Sequence, residues 1–114
     1  MIEVSADIIP RFDGADLLIR AAGHANYDVS GRDIVCASVS TVMQCVCALL
    51  EDHYPTTDSR GEGGYIEVSV ILPCYSIATE ALDLIRPLLD VVADLAAEYP
   101  KNVSYHMVTT ATAV

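Results

Sequence analysis

Two apolar stretches joined by a tight turn place the strongest constraint on how this chain folds. Residues 2 to 9, Ile-Glu-Val-Ser-Ala-Asp-Ile-Ile, alternate apolar and polar side chains, the period of a strand with one buried face. Arg11-Phe12-Asp13-Gly14 follows, and its Asp-Gly pair supplies hairpin turn chemistry. Residues 16 to 22 then form a second strand. The two make an antiparallel hairpin, and a half-apolar hairpin needs a further layer against it.

The rest of the chain supplies that layer. Gly23 ends the second strand, and residues 24 to 32 form a polar loop closed by Ser30-Gly31. Asp33 is the expected N-cap of a first helix from about Ile34 to Asp52. Val35, Val39, Val42, Val46 and Leu49 fall at helical spacing and form its expected buried stripe. His53-Tyr54-Pro55 stops this helix, and residues 56 to 64, polar and glycine-bearing, predict a mobile connection. Residues 65 to 72 alternate again, with Ile66, Val68, Val70 and Leu72 on one face of a third strand. Pro73 breaks it. Ser76 is the expected cap of a second helix from about Ile77 to Glu98, with a kink predicted near Asp83 to Pro87, where Pro87 removes an interior hydrogen bond. Tyr99-Pro100 ends that helix, and residues 102 to 110 form a fourth strand. The expected fold is one α+β domain over residues 1–114, β-β-α-β-α-β, with two helices packed on a mostly antiparallel four-stranded sheet.

Composition narrows the function. The net charge of −10 speaks against direct nucleic-acid binding, which needs basic surface, and suits a basic partner. Plain solubility explains the charge as well. No window is expected to reach the ~20 apolar residues of a membrane span, and a strand-like start predicts no signal peptide. A reducing cytoplasm is the expected setting, with all four cysteines as thiols.

The chemistry gathers in residues 23 to 40. His24 and Cys36 lie twelve residues apart across the polar loop, and Cys36 falls at the start of the first helix. A helix N-terminus carries partial positive charge and unpaired N–H groups, and both favour thiolate, the attacking species. A nucleophilic cysteine needs a histidine in reach. Cys36 as nucleophile and His24 as base fit that need, with the backbone N–H groups of Cys36 and Ala37 expected to stabilise an oxyanion. Asp33 either caps the helix or orients the site through His24. Gly23 and Gly31 either hinge the loop over a substrate or simply turn the chain.

Gly23-His24-Ala25, Gly31, Asp33-Ile34-Val35-Cys36-Ala37 and Val39-Ser40 together resemble the ribosomal-processing cysteine protease family, Prp, including the offset between His24 and Cys36. Gly64-Tyr65-Ile66-Glu67-Val68 is similar to a later strand of that family, and Leu95-Ala96-Ala97-Glu98-Tyr99-Pro100 to the end of its last helix, so the resemblance spans nearly the whole chain. Ser38 and Pro87 depart from its pattern. The resemblance implies a cytoplasmic endopeptidase that removes an N-terminal extension from the precursor of a large-subunit ribosomal protein. It implies His24 and Cys36 as the catalytic pair, Ser40 as a hydrogen-bonding support and a homodimer. It also implies a substrate with aromatic residues before the cut and a small one after it. No metal or organic cofactor is called for.

Two other readings compete. A ribosome-associated binding protein would carry an unreactive Cys36. A redox-sensing thiol protein would need a resolving cysteine, and Cys74 is the candidate. Cys45 and Cys47, two apart on a helix, point to different faces and suit packing better than a metal or a disulfide. His53 at a helix end and His106 pointing outward from the last strand suit structural roles.

Overall fold

The computed structural model describes residues 1–29 and 31–109. Strand β1 (Ile2–Arg11) folds back on β2 (Gly14–Gly23) as an antiparallel hairpin, with Val4 opposite Ala21 and Ile8 opposite Leu17. Gly14 is required there because a side chain would run into the Leu72 carbonyl oxygen of the neighbouring strand. Helix α1 (Ile34–His53) follows, then β3 (Thr57–Glu62), β4 (Tyr65–Leu72), helix α2 (Tyr75–Glu98) and β5 (Val103–Thr109). The sheet has five strands, not four, in the order β3-β4-β2-β1-β5. Every pairing is antiparallel except β1 with β5. The extra strand is β3, in the stretch expected to be a mobile connection. Its residues are almost all exposed, so no apolar alternation marks it, and its ladder with β4 holds it as an edge. The last strand was expected to reach residue 110; that position and Ser30 lie outside the described residues.

Both helices cover one face of the sheet. α2 crosses β1, β2 and β5, α1 lies over β3 and β4, and the two pack side by side. Ile2, Val4, Ala6 and Ile8 of β1 meet Ala15, Leu17, Ile19 and Ala21 of β2 on the covered face, with Val68, Val70 and Leu72 of β4. From α1 the buried stripe is Val35, Val39, Met43, Val46 and Leu50, and from α2 it includes Ala78, Ala81, Ile85 and Leu89. Val42 and Leu49, expected in the stripe, are only half-buried, because the helix turns Met43 and Leu50 onto the sheet instead. No polar side chain is fully buried among the described residues.

The helix ends also differ in part from expectation. Asp33 caps α1 as expected, its carboxylate accepting from the Cys36 N–H. α2 starts earlier than expected, with Cys74 at the cap position and no side-chain cap bond, so Ser76 lies inside the first turn. α2 is one helix across Pro87. α1 also corrects the expectation about membrane-length segments: its 20 residues are long and apolar enough to cross one. A core helix passes the same test, and here the Val35 to Leu50 stripe is spent on the sheet.

Register fixes where a site can form. Ile2 pairs with both Gly23 and Val103, and Ala22 pairs with Tyr65 beside the β3–β4 turn, so these positions share one pole. The other pole holds the β1–β2 turn and Leu72 opposite Ala15, where α2 begins.

Candidate active site

His24 leaves the sheet at the first pole. Gly23 has φ +107, and a side chain on it would run into the Met1 carbonyl oxygen. Its N–H donates to the Gly64 carbonyl at 2.8 Å, stitching the end of β2 to the β3–β4 turn. The chain therefore releases His24 beside Gly64, which itself sits at φ +78. The fit is close: a Cβ on Gly64 would lie 2.8 Å from His24 Nε2. In the sequence Gly64 was legible only as the end of a polar connection and, through the family resemblance, as the start of a later strand. The signal that could have shown more is Gly63-Gly64 between two strand-length segments, a hairpin turn.

Cys36 is set by the cap. Asp33 Oδ1 accepts from the Cys36 N–H at 2.9 Å, and the half-buried thiol packs at the edge of the core. Asp33 Oδ2 reaches the other way and accepts from the N–H groups of Tyr27, at 3.0 Å, and Asp28, at 3.3 Å. Desolvation pushes the Asp33 carboxyl up, but the backbone N–H bonds from Cys36, Tyr27, Asp28 and Val35 outweigh it and hold its pKa below the ordinary value. Of the two roles expected for Asp33, capping is the one its hydrogen bonds display. They go to the backbone and none goes to His24.

His24 and Cys36 come together at the meeting of two hollows. One, of about 310 Å³, is mainly apolar and is lined by Ile2, Ala21, Val39 and Ile66, together with Glu62 and Gly64. The other, of about 360 Å³, is the more polar of the two and is bordered by Asn26, Asp28, Gly31 and Asp33. His24, Cys36 and Ser40 line both. A peptide crossing from one hollow to the other would pass the thiol and the imidazole. Ser40, one turn below Cys36, makes no hydrogen bond to its own helix, unlike Ser38 and Thr41, whose hydroxyls donate back to Ile34 and Ala37. Its hydroxyl is available to the site.

The expected oxyanion donors are not available in this arrangement. The Cys36 N–H is committed to Asp33 Oδ1, and the Ala37 N–H donates to the Asp33 carbonyl at 3.0 Å as the first helical bond. The polar loop between His24 and Asp33 is nevertheless anchored to the rest of the fold. Ala25 is fully buried, and its carbonyl accepts from Asn102 Nδ2 at 2.8 Å. The Tyr27 ring meets the Tyr99 ring edge-on at 5.3 Å. Asn26, between these anchors, has φ +55.

Cys74 does not approach the site. It follows Leu72, seven residues along β4 from Tyr65, and at about 3.3 Å per residue the two ends of that strand lie roughly 23 Å apart. A resolving partner for Cys36 is thus not supplied by Cys74, which weakens the redox reading. Cys74 has its own environment: a bond with Ser76 Oγ at 3.2 Å, helped by the Ile77 N–H, lowers its pKa. Cys47 goes the other way, pushed up by burial and by Glu51, and Cys45 is exposed, so the two do face apart. No group of His, Cys, Asp or Glu suited to a metal occurs among the described residues. His53 Nδ1 sits 2.9 Å from the Leu49 carbonyl at the end of α1, and His106 is exposed on β5.

Comparison with known proteins follows the same line. The family described as cysteine protease Prp matches residues 1–104. No curated protein matches the chain at a significant level. Among solved structures, it is similar to the essential ribosomal processing protease Prp from S. aureus in complex with a covalently linked product peptide. The identity is 22%, the coverage 95% of this chain and 100% of that one, and the TM-score 0.71. The same protease with a substrate peptide gives 21% identity, the same coverage and a TM-score of 0.65. A Streptococcus mutans protein gives 24% identity, 96% coverage of each chain and a TM-score of 0.63. At these identities the solved structures establish the fold.

Proposed function

The chain belongs to the Prp cysteine protease family, and from that premise we propose that Cys36 is its nucleophile and His24 its general base, acting on the precursor of a large-subunit ribosomal protein. His24 takes the thiol proton as Cys36 Sγ bonds to the scissile carbonyl carbon, and the carbonyl π pair moves onto oxygen. Collapse of that intermediate breaks the C–N bond, and His24 returns the proton to the leaving amine. Water, deprotonated by His24, then releases the acyl group from sulfur. The observation that carries this reading is that His24 and Cys36 together line both hollows.

The substrate rests on two supports. The S. aureus relatives are ribosomal processing proteases, one of them holding a substrate peptide. The net charge of −10 would draw in a basic ribosomal-protein tail. The family resemblance supports a cytoplasmic homodimer as the working form. The test is incubation of the protein with the precursor ribosomal protein of its own organism, with any new N-terminus mapped by mass spectrometry. Cleavage by the wild type and none by Cys36→Ala is the expected result. An intact precursor, or full turnover by Cys36→Ala, would overturn the assignment.

A further inference from the structure

The geometry points to the Asn26 side chain as the hydrogen-bond donor to the oxyanion, an inference that rests on the Cys36 and His24 reading above. A tetrahedral intermediate needs N–H or O–H groups aimed at the developing negative oxygen. The two backbone amides nearest the nucleophile are occupied, Cys36 N–H by Asp33 Oδ1 and Ala37 N–H by the Asp33 carbonyl. Releasing either would undo the cap or the first turn of α1. The donor must come from elsewhere.

Asn26 meets the requirements. It borders the polar hollow together with His24, Cys36, Ala37 and Ser40. Its carboxamide makes no hydrogen bond among the described residues. Its backbone is in the left-handed region, φ +55, alone among the described non-glycine residues. Such conformations persist where the surroundings impose them, and they concentrate at functional sites. Here the imposition is visible on both sides. The peptide before Asn26 is held by Asn102 Nδ2 on the Ala25 carbonyl, and the one after it by Asp33 Oδ2 on the Tyr27 N–H. A donor whose backbone is pinned in this way loses little freedom when charge develops, which is what preorganisation requires.

Two features bear on the choice. Asp28 and Asp33 also border this hollow and would repel an anion, but their carboxylates already accept backbone N–H bonds, Asp28 Oδ1 from Val29 at 2.7 Å and Asp33 as described. Ser40 also offers an unoccupied hydroxyl in this hollow. It lies a turn further into α1, whereas Asn26 comes from the loop beside the helix start, where the dipole favours negative charge. In the reaction, Cys36 Sγ bonds to the carbonyl carbon, the π pair passes to oxygen, and Asn26 Nδ2–H donates to that oxygen until the C–N bond breaks. No proton is transferred from Asn26.

Asn26→Gly tests this, because glycine keeps the positive φ and removes the donor. Precursor cleavage and alkylation of Cys36 by iodoacetamide are measured together, since alkylation displaces iodide without forming an oxyanion. The expected result is a fall in kcat of about a hundredfold, with KM, melting temperature and the Cys36 alkylation rate near wild type. A kcat within threefold of wild type overturns the inference. So does a parallel loss of cleavage and alkylation, which would mean that Asn26 only places the loop, and so does a comparable kcat loss in Ser40→Ala with none in Asn26→Gly. Failure of the underlying reading looks different: the wild type leaves the precursor intact, or Cys36→Ala cleaves it.

Discussion

Gly64 and His24 meet so closely that a methyl group on the glycine would lie 2.8 Å from the imidazole Nε2. The contact joins the β3–β4 turn to the residue that follows β2, and the bond from Gly23 N–H to the Gly64 carbonyl locks the two together. The proposed general base is thereby seated by the backbone of a hairpin remote from it in sequence. The imidazole is the free end of a side chain, so it can swing aside where the backbone cannot. Gly64→Ala is therefore expected to fold, with a modest stability loss from its positive φ, and to displace His24. A shift of about 1 Å in a catalytic group can cost a hundredfold, and kcat/KM should fall by about that factor. Gly63→Ala, whose Cβ meets nothing within 4 Å, is the control. Wild-type turnover in Gly64→Ala would show that the seat does not matter.

Asp33 makes the cap sensitive to acid. Its folded pKa lies below the ordinary carboxylate value, so its bonds stabilise the fold fully above the unfolded pKa, about 3.9, and the stabilisation is lost as pH falls through the lower folded value. Asp33→Asn keeps a capping oxygen without the titration. Melting temperature measured from pH 6 down to pH 2 should therefore fall less steeply in Asp33→Asn than in the wild type. Parallel curves would place the acid sensitivity in other carboxylates.

The thiols should separate by place and by environment. Cys74 is exposed with a lowered pKa at the pole opposite the site, and Cys47 is half-buried with a raised one. Brief iodoacetamide treatment at neutral pH is expected to modify Cys74 without loss of cleavage, Cys36 with complete loss, and Cys47 last of all. Peptide mapping against residual activity checks this. Activity lost in step with Cys74 would contradict the separation of the two poles.

Core substitutions distinguish the two stripes drawn on α1. Met43 is fully buried and Val42 only in part. Met43→Ala should cost about 2–5 kcal/mol, and Val42→Ala clearly less. Denaturant unfolding decides the matter, and equal losses would mean that α1 is rotated from the orientation described.

Much of the scaffold was legible in residue order. The period of two in Ile2 to Ile9 and in Tyr65 to Leu72 marked strands, and the Asp33 cap with the apolar spacing behind it marked α1. The face of α1 was drawn slightly wrong because Val42 and Met43, and Leu49 and Leu50, are adjacent apolar residues. Periodicity alone cannot say which of each pair meets the sheet. Strand β3 was invisible for a simpler reason. An exposed edge strand such as Thr57 to Glu62 buries nothing, and only its partner β4 supplies the hydrogen bonds that define it.

The site divides along the same line. His24, Cys36 and the Asp33 cap were readable because a loop and a helix start are local, and local residues state their own chemistry. The commitment of the Cys36 and Ala37 amides, the seat on Gly64, the anchoring of Ala25 by Asn102 and the remoteness of Cys74 were not. Each joins residues whose distance apart is set by sheet register and by how helices lie on it. By itself the sequence determined which groups could react and which segments could become strands and helices. Tertiary structure decided which of those groups have hydrogen-bonding capacity left, since a donor is spent or free according to neighbours that only the folded chain brings within 3 Å.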